Sequence, residues 1–429
     1  MKKIASLLFA CLIALAAHAQ LTVQNVYVLN EGYYDWNTST IVTAPSAGYY
    51  NPITKNYTTF ATFANAQFAS DLIIEGNVIY IAASDGIYRF DKTNHTQTHF
   101  TPIDGIRKMD VWNNQLLCTR GDVGLANNYF QVYDKNNLAF IYELNNMTGP
   151  AFTCEGIAVK NDKAYIALNN AFFFPNYVGK IGVVDLNLQS YVNEIDLGPD
   201  GLNPDYLALD QTNNQIVTLN NLDFTNASVS SLDLVNQMPQ TTKLNVSSGC
   251  ASSVFSPTQG EIAYQVMGEN SIKKFDLSQQ STTTTLSVNR SIYGMAFDKV
   301  NNYLYSGNTD FVNYGQVYIY DYATGGMIDS FFVSVSPGTI VIDYTGAISI
   351  NESVENSYSL FPNPASDVIK INGITNNVTV SVCDVTGKNL ITKKLNEQDP
   401  FISIAHLAPG IYTVSIENKN ASVFRFTKQ

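Results

Sequence analysis

Few side chains in this sequence have both the type and the setting for chemistry, and they are mostly acids, amides and aromatic rings. The chain is built of repeat units. The starts of equivalent strands align Arg107 and Lys108, Cys154 and Glu155, Pro204 and Asp205, Cys250 and Ala251, and Ile292 and Tyr293 around one opening. Glu155 and Asp205, from adjacent units, read as a carboxylate pair opposite Arg107. Such a pair suits acid–base work of the lactonase or lyase kind, or forms an ion-paired plug. A second group sits in long loops: Tyr33, Tyr34, Trp36, Phe172, Phe173, Tyr177, Phe224 and Phe311, interleaved with Asn and Gly. Aromatic planes stack on sugars and flat heterocycles, and Asn amides read hydroxyls and amides. The candidate ligand-binding set is therefore Tyr33, Tyr34, Trp36, Arg107, Glu155, Phe173, Tyr177, Asp205 and Tyr293.

Other chemistry lacks its residues. G-x-S-x-G, H-E-x-x-H, the P-loop and EF-hand spacing are all missing from the sequence. His95 and His99 are spaced i, i+4 on what reads as an outer strand, without further metal ligands nearby. No metal or cofactor is expected. Cys118, Cys154, Cys250 and Cys383 show no C-x-x-C spacing and read as small buried hydrophobes. Cys154 and Cys250 hold matching positions two units apart, too far across the opening for a disulfide.

The elements that position these residues are strands. Of 429 residues only 14% are charged, while 45% are hydrophobic and Asn alone occurs 46 times. That mixture favours strands and turns over helices. One pattern recurs: a strand ending in Asp or Asn, then a turn, anchored at Asn51, Asp91, Asp134, Asp185, Asp233, Asp276 and Asp321, on average 45 residues apart. Seven units of this size match four-stranded propeller blades. Short turns at Asn161-Asp162, Asn213-Asn214 and Asn301-Asn302 join the first two strands of a unit. Longer, variable loops (Glu31–Ser39, Arg120–Tyr129, Asn169–Lys180, Asn220–Ser228 and Gly307–Gln316) join the second and third. Insertions on one face of a repeat mark a binding face. Thr339–Ile342 supplies the inner strand that the first unit lacks before Val26–Leu29, which closes the ring. The fold expected is all-β: a seven-bladed β-propeller over residues 20–350, a linker at 351–356, and a small immunoglobulin-like β-sandwich over 357–429.

Charge and the N-terminus bear on location. The net charge is −12, of which residues 1–19 contribute +2 and residues 357–429 another +2, so 20–356 carry −16. Such a surface repels phosphate backbones and excludes nucleic acid as partner. Lys2-Lys3, the apolar run Ile4–Ala17 and Ala17-His18-Ala19 read as a signal peptide over residues 1–19, too short to span a bilayer, and no later stretch reads as transmembrane.

The C-terminal motifs carry a resemblance. Leu360-Phe361-Pro362-Asn363-Pro364-Ala365, Val380–Lys388 with Asp384-Val385-Thr386-Gly387, Leu407-Ala408-Pro409-Gly410-Ile411-Tyr412 and the basic end at Arg425 and Lys428 are similar to the type A C-terminal sorting domain of the type IX secretion system. The resemblance implies export across both membranes, with the secretion machinery as partner and the domain removed at the cell surface. The repeat region resembles YncE-like and surface-layer seven-bladed propellers. Val28-Leu29-Asn30-Glu31-Gly32 also resembles the opening of propellers that capture cobalamin at the cell surface. The expected protein is a secreted or surface propeller that captures a small polar ligand, glycan or corrinoid-like, on its loop face. A protein-interaction propeller with a surface partner and a lactonase or lyase-type enzyme are the alternatives.

Overall fold

The computed structural model describes residues 21–345, apart from 126 and 250–251, and residues 359–429, apart from 375–376, 385–387, 397 and 418–421. The signal segment, the 351–356 linker, Cys250 and the Thr386-Gly387 turn lie outside these residues. The chain divides into two compact units, 1–346 and 347–429. Every regular element among the described residues is a strand.

The first unit holds seven four-stranded antiparallel sheets. Blade 1 is a composite: its inner strand, Pro337–Thr345, comes from the end of the unit and pairs with Thr22–Asn30, followed by Ser46–Asn51 and Asn56–Thr62. The register sets Val26 against Ile342 and Leu29 against Thr339, so the ring closes on the strand expected from the sequence. Blades 2 to 7 run in order through Ala69–Thr101, Ile106–Leu144, Cys154–Asp196, Pro204–Lys243, Ser253–Ser287 and Met295–Val335, as four consecutive strands each. Inner strands touch their neighbours all round the ring, including Met295–Asp298 against Pro337–Thr345 and Pro337–Thr345 against Ala69–Glu75.

Local hydrogen bonding explains the repeated anchor. Asn51 Oδ1 accepts from the amides of Ile53 and Thr54, and Asp91, Asp134, Asp233 and Asp276 each cap the amides two and three residues on. Asp185 and Asp321 cap the third. The short side chain holds the turn by mimicking a backbone acceptor. Four residues after each anchor the chain turns left-handed, at Lys55, His95, Leu138, Gln189, Gln237, Gln280 and Gly325. His95 therefore sits in a hairpin turn, stacked on Tyr49 at 4.5 Å, and not beside His99 on a strand. Of the expected tight turns, Asn161 and Asp162 both have φ > 0, as a two-residue hairpin turn requires, whereas only Asn214 and Asn302 do in the others.

The core lies between blades. Leu117, Phe130 and Val132 of blade 3 meet Ile157, Ile166 and Val184 of blade 4, and Leu29 and Phe63 of blade 1 meet Leu72, Ile79 and Phe90 of blade 2. Second strands are covered on both faces and so lose the alternating pattern of a half-exposed strand: Ile79–Ala83 is buried throughout.

The second unit pairs a three-stranded sheet (Ser359–Phe361, Val368–Asn372, Phe401–Ser403) with a four-stranded one (Val378–Cys383, Asn389–Leu395, Gly410–Glu417, Ser422–Lys428). Ile369, Ile371 and Ile402 of the first pack with Val380, Val382, Val414, Ile416 and Phe426 of the second in one core, which is a small β-sandwich.

Candidate functional site

The inner strands begin irregularly. In five blades an extra residue interrupts the first ladder pairs: Ser70, one of Arg107–Lys108, one of Glu155–Gly156, Asp205, and Gly338. A β-bulge re-aims the side chains beside it. Here it turns residues at the start of these five inner strands toward the ring axis, where they line a central cavity of about 500 Å³. Thr119 supports one bulge, accepting from the Lys108 amide at 2.9 Å and donating to the Glu155 carbonyl at 2.7 Å.

Three polar groupings face this cavity. Arg107 grips Glu155 with two parallel hydrogen bonds, Nε to Oε2 at 2.8 Å and Nη2 to Oε1 at 3.0 Å, and its guanidinium lies 5.4 Å from the Phe172 ring centroid. Burial pulls the Arg107 pKa down, but Glu155, with Asp205 and Glu31 adding to it, more than reverses this, so the guanidinium stays charged. Lys108 Nζ donates to the Ser70 carbonyl at 2.6 Å and stands 3.8 Å from Asp71, which in turn accepts from the Met109 amide. Burial raises the Asp71 pKa.

The third grouping spans the seam of the ring. Tyr293, from blade 7, donates its hydroxyl to both Glu31 carboxylate oxygens at 3.0 Å, and Phe311 meets the Tyr293 ring edge-on at 5.1 Å. Gly338 makes room for this carboxylate, because a Cβ there would overlap Glu31 and Tyr293. Burial pushes the Glu31 carboxyl up to about 7; the Tyr293 hydrogen bond, Lys108 and Arg107 offset it only in part.

Of the residues selected from sequence, Arg107, Glu155, Asp205 and Tyr293 all line the cavity. The acid pair is rearranged: Glu155 does not stand opposite Arg107 beside Asp205 but is clamped by it. The five loop aromatics do not line the cavity. Tyr33 and Tyr34 sit in a hairpin, Tyr33–Asp35 with Thr40–Thr43, inserted after blade 1's second strand. Trp36 leans edge-on against Tyr34 and is 72% exposed. Phe173 is 38% exposed, and Tyr177 packs edge-on against Phe174 and Phe224. The sequence selection missed Glu31 and Asp71, which line the cavity, and named Phe172 among the loop aromatics without choosing it for the binding set. Only Glu31 had a signal, the Asn30-Glu31-Gly32 turn directly after a strand. Cys154 is a free thiol in the core between blades 3 and 4.

Residues 359–427 match the family model described as a secretion system C-terminal sorting domain. The C-terminal module is a secretion sorting domain. Through it the type IX secretion system delivers the protein to the cell surface. No curated protein sequence matches the chain. Among solved structures, a hypothetical selenium-binding protein from Sulfolobus tokodaii is similar with a TM-score of 0.58 and 10% identity, over 76% of this chain and 95% of the other. Hydrazine synthase from Kuenenia stuttgartiensis gives a TM-score of 0.51 and 14% identity, over 63% of this chain and 92% of the other. At such identity these likenesses speak for the fold alone. Ahead of the sorting domain, the first unit is a β-propeller.

Proposed function

We propose that this is a cell-surface binding module, exported by an N-terminal signal and the sorting domain, that captures a small polar ring-bearing ligand, a glycan unit, at the mouth of its channel. One observation carries the reading: the bulges of five blades turn polar and charged side chains into a single cavity of about 500 Å³ on the axis. That volume suits a small ligand, and mixed apolar walls with a few convergent polar groups are how such sites are built. Phe172 and Phe311, which lie against Arg107 and Tyr293 just outside the lining, would add aromatic contact at its rim. The loop aromatics Trp36, Phe173 and Tyr177 would extend contact beyond the cavity for a longer glycan.

The test is calorimetric titration of the full chain with a panel of mono- and oligosaccharides, with corrinoids as the competing class. Saturable binding of a saccharide that the Arg107→Met/Glu155→Leu variant loses supports the site. Binding that survives that variant, or a panel without any binder, overturns it.

A further inference from the structure

We propose, resting on the reading above, that the ligand of the channel mouth carries a protonated amine, an amino sugar being the class that fits, with Glu31 as its counterion. Charge balance leads there. The described residues lining the cavity include two cations, Arg107 and Lys108, and four acids, Glu31, Asp71, Glu155 and Asp205. Arg107 is committed to Glu155 through both hydrogen bonds, and Lys108 to the Ser70 carbonyl beside Asp71. Among the described residues no Lys, Arg or His comes within 4 Å of the Glu31 carboxylate. Its hydrogen-bond partner is the neutral Tyr293 hydroxyl. An acid in a cavity whose cations are committed to other partners is a site that a cationic ligand completes.

The walls agree. The aromatic residues Phe68, Tyr206, Phe255 and Tyr293 belong to the same lining, and an exposed ring face attracts an ammonium group. Ser253, on the inner strand of blade 6, belongs to that lining, and its buried Oγ has no hydrogen-bond partner among the described residues. An anionic ligand would face four carboxyls, and a neutral sugar would leave Glu31 without its counterion. The −16 carried by residues 20–356 also draws small cations toward the protein.

Proton linkage gives the proposal a second readout. The charged and titratable groups that bear on Glu31 are Tyr293, Lys108, Arg107 and Glu155, and together with burial they leave its carboxyl titrating at about 7. An ammonium group favours the ionised form, so a carboxyl mostly protonated at pH 6 must release up to about one proton when the amine binds.

The experiment uses the full chain and three probes of one shape: glucose, glucosamine and N-acetylglucosamine, whose amide is neutral. Calorimetry runs at pH 6 and 7.5 in buffers of different ionisation enthalpy. Glucosamine should bind about tenfold or more tightly than the other two at pH 7.5. It should release close to one proton at pH 6, and glucose none. In Glu31→Gln the three sugars should bind alike. Equal binding by all three in the wild type, or tighter glucosamine binding without proton release, overturns the amine proposal and leaves the glycan reading standing. Failure of all three to bind overturns the amine proposal, and the glycan reading then falls only if the wider saccharide panel also yields no binder. Proton release is read on the wild type, so the test holds even if Glu31→Gln fails to fold.

Discussion

Breaking the Arg107–Glu155 pair separates a functional role from a structural one. Glu155 is only 4% exposed, and Arg107 holds it bidentately. Glu155→Leu would leave a mostly buried guanidinium without its main partner. Removing one member of a buried pair costs about 3–5 kcal/mol; with 22% of the Arg107 side chain open to solvent, the lower end, about 3 kcal/mol, applies. At about 2 °C per kcal/mol for a domain of this size, the melting temperature should fall by about 6 °C. Replacing both residues, Arg107→Met with Glu155→Leu, removes the stranded charge as well as the pair and should restore stability to within about 1 kcal/mol of wild type. Ligand binding should be lost in both variants. The assay is calorimetric melting beside ligand titration on the same preparations. If the double variant melts as early as the single one, the pair is a stabilising plug, and if the double variant still binds, the cavity is not the site. Either result refutes the reasoning.

Trp36→Ala with Phe173→Ala removes two loop rings that lie outside the cavity lining. Melting should stay within about 1 °C of wild type, while binding of a long glycan weakens about tenfold, and an early melt would show that these rings belong to the core. Gly338→Ala should push the Glu31 carboxylate off Tyr293 and cost about 1–3 kcal/mol, read as a lower melting temperature and weaker binding. Burial raises the Asp110 carboxyl to about 6, above its unfolded value, although it accepts from the amides of Val111 and Val159. A group with a raised folded pKa contributes stability below its unfolded value and loses it as pH rises through the folded one. Wild type should therefore lose about 2 kcal/mol between pH 4 and 7 relative to Asp110→Asn, which keeps an oxygen acceptor, and parallel melting curves for the two would contradict this.

The sequence alone determined what depends on neighbours along the chain. An Asp or Asn that ends a strand caps amides two or three residues on, so each blade's outer turn is written locally, and seven such anchors count the blades. The sorting domain was legible for a similar reason, since its motifs stand in order within about 70 residues. Ring closure followed once the count was known, because the first unit lacked an inner strand and Thr339–Ile342 had no other place. The site was a different matter. Arg107 meets Glu155 across 48 residues and Glu31 meets Tyr293 across 262. An alternating pattern predicts which way side chains point only if strand register is unbroken; bulges break it at Arg107 and Glu155, and Glu31 and Tyr293 lie just outside their strands, where no alternation applies. Aromatic composition drew attention to Trp36, Phe173 and Tyr177, yet a loop's content does not say which rings reach the axis. Phe172 lies 5.4 Å from the Arg107 guanidinium, yet neither it nor its neighbour Phe173 lines the cavity. Which residues share the channel mouth was decided by the curvature of the closed ring and by one extra residue in each of five inner strands, and both exist only in the folded protein.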